Sequence, residues 1–239
     1  MESILNTLTT NKKYICVEGL IGSGKTTLCK ELAKHEEVFG ANPIIQLEPA
    51  EGENPYLEAY YTDPKANAFK MQIFLLSRRY RAHLAAQSLA LSGSNSVIAD
   101  RSYFGDRCFA EVQHKDGYFT DADFSTYLAL HKDMQRNVLY PSAFIYLKTP
   151  IGLAMERVSR RMSEIAGRKC ECAISLEYMT ELDRQINKMM SAMRKYCPVI
   201  DVSPLDSSGE EISVEVLAKN VSCIINNLEA RYDSWQGVA

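Results

Sequence analysis

Short apolar runs alternate with stretches of helical periodicity from one end of the chain to the other. Tyr14–Val17 (YICV), Pro43–Leu47 (PIIQL), Ser96–Ala99 (SVIA), Ala143–Leu147 (AFIYL) and Pro198–Val202 (PVIDV) lack the apolar–polar alternation of a half-exposed strand. They read as strands buried on both faces. Between them the period changes to that of a helix. Helices are expected over residues 26–36, 66–91 and 210–229, and one more follows the fourth strand. Strands alternating with helices predict a parallel sheet with helices on both faces. The least patterned stretches are 50–54, 114–123 and 163–173.

Length and composition narrow this picture. The 239 residues suit one domain, residues 1–239, carrying a lid at about 159–173. Hydrophobic residues at 46% and charged residues at 24% are ordinary globular usage and exclude disordered and collagen-like chains. With 27 basic and 30 acidic residues the net charge is −3, without the basic excess of a nucleic-acid-binding surface. No apolar run reaches the roughly 18 residues of a membrane span, and Met1–Lys13 lacks the apolar core of a signal peptide. The seven cysteines, an odd number scattered through core segments, suit a reducing, cytoplasmic setting. Cys170 and Cys172 have no second Cys or His pair at zinc spacing. His35, His83, His114 and His131 share no spacing and read as surface or packing residues.

The first strand runs into Gly19-Leu20-Ile21-Gly22-Ser23-Gly24-Lys25-Thr26-Thr27, which fits G-x-x-x-x-G-K-[ST] in full. A strand before it and a helix after it meet the structural condition of that motif. Glycines let successive backbone N–H groups curl round one anion, and the helix N-terminus adds partial positive charge. Lys25 is placed to reach the β- and γ-phosphates of a nucleotide, and the Thr26 hydroxyl to ligate Mg²⁺. The chain has no guanine-reading N-K-x-D motif, so a small-molecule kinase fits better than a GTPase.

Ligands of doubly wound sheets lie beyond the carboxyl ends of the strands. The second strand ends in Leu47-Glu48-Pro49 and the third in Ala99-Asp100-Arg101-Ser102. Glu48 is a candidate acceptor for the proton of an attacking hydroxyl. Asp100 is a candidate Mg²⁺ ligand, and Arg101 a candidate partner for phosphate. The basic stretch from Ser159 to Cys172 contains Gly167 and several arginines, the composition of a lid that closes over a transferring phosphoryl group.

Taken together these residues resemble the deoxynucleoside kinase family. Beyond Gly19–Thr27, the likeness rests on Glu48-Pro49, Tyr61…Pro64…Gln72…Arg79, Asp100-Arg101-Ser102…Asp106-Arg107, and Gly167-Arg168…Glu171…Leu176-Glu177-Tyr178, in the family's order. It implies a P-loop α/β fold: a doubly wound five-stranded parallel sheet with an arginine-bearing lid. It implies ATP-dependent, Mg²⁺-assisted phosphorylation of the 5′-hydroxyl of a deoxyribonucleoside by a cytoplasmic homodimer. Glu48 resembles the general base, and Arg101 the arginine beside the reacting hydroxyl and phosphates. Gln72 resembles the glutamine on the base edge. Tyr61 and Glu171 resemble the pair on the 3′-hydroxyl, with Leu57 and Met71 in the same pocket. Arg161 and Arg168 resemble lid arginines. Arg79 and Asp106 resemble the base-contacting pair of members that take deoxyadenosine, deoxyguanosine or deoxycytidine rather than thymidine. An ungapped match selects Arg79, while one helical step would bring Arg78 forward. The stacking aromatic falls on Phe109 or a neighbour. Asp100 stands where the family usually has Glu. A thymidylate-type monophosphate kinase would need a further basic anchor for its acceptor, and a regulatory nucleotide-binding module would need neither Glu48 nor the lid.

Overall fold

The computed structural model describes residues 12–48, 54–164 and 174–235. Five strands form one sheet: β1 (Tyr14–Gly19), β2 (Ile44–Gln46), β3 (Val97–Asp100), β4 (Ala143–Leu147) and β5 (Val199–Val202). Their order is β2-β3-β1-β4-β5, and every pairing is parallel. Among the described residues the helices are α1 (Lys25–Leu32), α2 (Glu36–Phe39), α3 (Leu57–Thr62), α4 (Pro64–Leu91), α5 (Tyr103–Lys115), α6 (Asp121–Gln135), α7 (Ile151–Glu164), α8 (Leu176–Met193) and α9 (Val214–Trp235).

The absence of alternation in the strands has a direct cause. Tyr14 and Cys16 of β1 enter a core shared with α4, α5, α6 and α8, while Ile15 and Val17 enter a second core under α1, α2 and α9. Both faces of the sheet are covered, so both sets of side chains are apolar. No helix among the described residues is long and apolar enough to cross a membrane.

Several boundaries differ from the sequence reading. The helix expected over 26–36 ends at Leu32, where the Ala33 amide bonds to the Cys29 and Glu31 carbonyls, and a separate short helix begins at Glu36. The long helix starts two residues early, at Pro64, because Asp63 accepts the Ala66 N–H and proline fits the first turn. The unpatterned stretch 114–123 shrinks to 116–120. Thr120 and Asp123 form a capping box that starts α6 at Asp121. The last helix begins at Val214 rather than 210, since Leu205 and Glu211 form an antiparallel bridge ahead of it.

From β1 the chain crosses to the edge strand β2, returns to β3 beside β1, and then passes to β4 on the other side. The order therefore reverses at β1. The carboxyl ends of β1, β2 and β3 open onto one crevice there, as expected for ligand sites of such sheets.

Candidate active site

The loop after β1 is shaped for an anion. Gly22 has φ 75°, and a Cβ on it would stand 2.4 Å from the Ala154 carbonyl oxygen of α7, so only glycine fits. Gly24, at φ 96°, precedes α1, whose N-terminus has no side-chain cap and no acidic residue in its first turn. Its first amides remain available to phosphate. Lys25 is buried and donates to the Leu20 carbonyl at 2.6 Å. Burial, aided by the charge of Arg101, lowers its ammonium to about 8. Thr26 donates its hydroxyl to Asp100 Oδ2. Asp100 Oδ1 is buried and makes no hydrogen bond. A hydroxyl beside a carboxylate with a spare buried oxygen suits a hard cation that takes oxygen ligands, so the Mg²⁺ assignment to Thr26 and Asp100 fits the geometry.

Beside that pair stands a cluster of carboxylates and guanidiniums. Glu48 Oε1 accepts from Arg79 Nη2, and its Oε2 lies 3.1 Å from Arg101 Nε. Burial pushes the Glu48 carboxyl up, but Arg101, Arg79 and Lys25 outweigh it and hold the group at about 2. Its side chain keeps 36% exposure, facing the crevice. Glu48, Arg78, Arg79, Asp100, Arg101 and Tyr103 are among the residues lining a cavity of about 340 Å³.

Behind Arg79 lies a polar group sealed from solvent. Arg79 Nη1 donates to Asp106 Oδ1 at 2.5 Å. Gln72 Nε2 donates to Asp106 Oδ2 at 2.9 Å and to the Asp106 carbonyl at 3.1 Å. Tyr127 donates its hydroxyl to the same Oδ2 at 2.6 Å, and Gln113 donates to Gln72 Oε1 at 2.9 Å. Of the adjacent arginines, Arg79 is buried in this network, whereas Arg78 is exposed and lines the cavity. The ring of Phe109, one of the aromatics considered for stacking, lies 5.2 Å from Arg79 Cζ and 4.8 Å from Arg101 Cζ.

A family model described as deoxynucleoside kinase matches residues 15–226. The chain belongs to the deoxynucleoside kinase family. Curated relatives include the deoxyadenosine kinase of Dictyostelium discoideum, 29% identical over 80% of this chain and 71% of the relative. The deoxyadenosine/deoxycytidine kinase of Bacillus subtilis is 28% identical over 89% of this chain and 93% of the relative. Among solved structures, a deoxyadenosine kinase from M. mycoides with the products dCMP and a flexible dCDP bound is similar at TM-score 0.71 and 28% identity. That likeness covers 91% of this chain and 99% of that one. The chain is thus a phosphotransferase of the deoxynucleoside kinase class, with the parallel-sheet P-loop fold expected from the sequence.

For this kinase the structure brings together Lys25, Thr26, Glu48, Gln72, Arg79, Asp100, Arg101 and Asp106. Met71 is buried on α4 and Leu57 is half-buried on α3. Arg161 stands in the last turn of α7. Arg168, Glu171 and the side chain of Tyr61 lie outside the described residues, as do Cys170 and Cys172.

Sequence reasoning missed four residues. Tyr127 and Gln113 anchor the Asp106–Gln72 group from α6 and α5, and nothing in their local sequence marks them. Arg157 of α7 donates to the Ser23 carbonyl at 3.0 Å and to Glu211 at 2.5 Å, bracing the loop from outside. Glu18 is wholly buried at the end of β1 and accepts from Ser102 N at 2.8 Å and Ser102 Oγ at 2.7 Å. Burial pushes its carboxyl up, against the pull of Arg101 and those two bonds. A charge inside an otherwise apolar strand was the available signal.

Proposed function

We propose that this kinase transfers the ATP γ-phosphoryl group to the 5′-hydroxyl of deoxyadenosine, deoxyguanosine or deoxycytidine in preference to thymidine, with Glu48 as the proton acceptor. The observation that carries the reading is Glu48 itself. It stands between Arg79 and Arg101, at the mouth of a cavity shared with Asp100. A hydroxyl entering that cavity replaces one guanidinium bond to Glu48 and gains a carboxylate within hydrogen-bond reach, the geometric requirement for a general base. Lys25 and the uncapped amides of α1 hold the donor phosphates, and Arg101 faces the charge that develops on the group in flight. Thr26 and Asp100 would hold Mg²⁺, which neutralises phosphate charge when bound.

The base pocket in this reading is the Arg79–Asp106–Gln72 group. Base binding here is an exchange: Asp106 gives up part of its bonding to Arg79, Gln72 and Tyr127 to accept from an exocyclic amino group, and Arg79 donates to a ring nitrogen or carbonyl. The names of the relatives, acting on deoxyadenosine and deoxycytidine, support this choice. Glu171 and Tyr61 on the 3′-hydroxyl, Arg161 and Arg168 in the lid, and a homodimer are family expectations that belong to the same proposal. Free thiols at Cys16, Cys29, Cys108, Cys197 and Cys223 accord with a reducing cytoplasm.

The test is to incubate the protein with ATP and Mg²⁺ and, in turn, four deoxynucleosides, their monophosphates, and no acceptor. Phosphorylation of nucleosides with thymidine last is expected. Turnover of monophosphates only, or ATP consumption without dependence on an acceptor, overturns the proposal.

A further inference from the structure

Arg101 has a backbone φ of 73°, left-handed and unusual for a residue with a side chain. Such a conformation is strained and persists only where its surroundings hold it. Two contacts from the end of β1 do so. The Arg101 amide donates to the Val17 carbonyl at 3.0 Å. The next amide, Ser102 N–H, donates to Glu18 Oε1 at 2.8 Å, and the Ser102 hydroxyl donates to the same oxygen at 2.7 Å. The other oxygen, Glu18 Oε2, is buried with no hydrogen bond and lies 3.7 Å from Arg101 Nη1. That same nitrogen donates to the Gly19 carbonyl at 3.0 Å. The carboxylate therefore divides its work: one oxygen fixes the backbone just after Arg101, and the other faces the guanidinium. The contact is close-packed from the far side as well. A Cβ on Gly105, in the first turn of α5, would stand 2.3 Å from Glu18 Oε1.

We propose that Glu18 is a positioning residue for phosphoryl transfer: its buried carboxylate holds Arg101 in the left-handed turn that aims the guanidinium between Gly19 and Glu48. A buried carboxylate is unfavourable unless its lone pairs and charge are met, and here Ser102 and Arg101 meet them. The result is a guanidinium pinned at both ends, with Glu18 behind it and Glu48 in front at 3.1 Å. Preorganised charge of this kind acts mainly in the transition state. The inference rests on the kinase reading above, in which Arg101 touches the reacting group.

The experiment is a double-mutant cycle on the full chain, with ATP and the nucleoside that wild type turns over best. Glu18→Gln keeps an oxygen for both Ser102 bonds and removes the charge behind Arg101. It should lower kcat by roughly tenfold to a hundredfold, the scale of a misaimed catalytic group, with KM for ATP and nucleoside within about threefold. In an Arg101→Lys background the same change should cost less than about threefold, because residues acting as a unit are not additive. Glu18→Asp, which keeps the charge but withdraws it, should fall between wild type and Glu18→Gln and covers the case in which Glu18→Gln does not fold. An unchanged kcat in Glu18→Gln, a loss seen only in KM, or the same loss with and without Arg101 overturns the proposal. So does failure of both variants to fold, which would make Glu18 purely structural. Wild type lacking nucleoside-dependent turnover overturns the kinase reading itself, whereas an active wild type with an unaffected variant overturns Glu18 alone.

Discussion

Lys25 turns its ammonium back onto the Leu20 carbonyl oxygen, 2.6 Å away within the loop that carries both residues. An arriving phosphate offers a charged partner in place of that carbonyl, so binding is an exchange. Burial and Arg101 hold the free ammonium at about 8, well below its usual value. The protonated form is present below that pH and lost above it. kcat/KM for ATP reports the free enzyme and is expected to fall as pH rises through about 8. A bound phosphate favours the cation, so kcat should hold to higher pH. Paired pH profiles of the two constants check this, and a kcat/KM level to pH 10 contradicts it.

Removing the ammonium tests the same loop more bluntly. Lys25→Ala deletes the charge proposed to stabilise the transferring phosphoryl group, and losses of about 10²–10³ in kcat are usual for one such donor. Circular dichroism should show an intact fold. Near-normal turnover in a folded variant removes the phosphate loop from the mechanism.

Glu48→Gln preserves shape and removes the proposed proton acceptor, so kcat should fall by about 10²–10⁴, with nucleoside affinity changing far less. Arg101, Arg79 and Lys25 hold the Glu48 carboxyl at about 2. It is ionised at every pH above about 4, and the acid limb of kcat/KM should not come from this residue in that range. A fall of less than about tenfold, worth only ~1.4 kcal/mol of barrier, assigns the proton elsewhere.

Arg79 and Asp106 are no surface ion pair, since both are buried and Asp106 also holds Gln72 and Tyr127. Arg79→Met with Asp106→Ala should shift the ranking of kcat/KM toward thymidine by making room for its methyl group. The double variant should also lose overall kcat, because Arg79 supports Glu48. Asp106→Ala alone should be less stable than wild type, because it leaves buried donors on Arg79, Gln72 and Tyr127 unpaired at about 1–3 kcal/mol each. An unchanged nucleoside ranking in the double variant rejects the pocket assignment.

His83 supplies a pH dependence of stability. Buried under the sheet, it takes a 2.9 Å hydrogen bond from the Tyr14 hydroxyl on Nδ1 and donates from Nε2 to the Leu139 carbonyl at 2.8 Å. Burial lowers its imidazole to about 4, against 6.5 when unfolded. The unfolded chain therefore binds the extra proton between those values, and stability is full above about pH 6.5 and lost as pH falls toward 4. The loss is on the order of 3 kcal/mol. Melting temperatures from pH 7 to 4 should fall less steeply in His83→Gln than in wild type. Parallel slopes would show that His83 is not the group responsible.

The sequence by itself determined the elements whose causes are local. Five apolar runs became five strands because both faces of the sheet are covered. Gly19–Thr27 was legible because its glycines and lysine answer to backbone geometry within nine residues. Glu48, Asp100 and Arg101 were legible because strand ends are where such folds place ligands. Tertiary structure decided what depends on distant chain segments meeting. It chose Arg79 over Arg78, since only packing of α4 against α5 shows which arginine faces Asp106. It brought Tyr127 and Gln113 to the Arg79–Asp106–Gln72 group from positions no local pattern marks. It placed Glu18 behind Arg101 across 83 residues of sequence, where the β1–β3 register sets Val17 opposite Asp100. A periodic pattern reports which face of an element is buried. Which polar side chains meet across the interior is set by the relative placement of whole elements, a property of the assembled sheet and helices rather than of any local run.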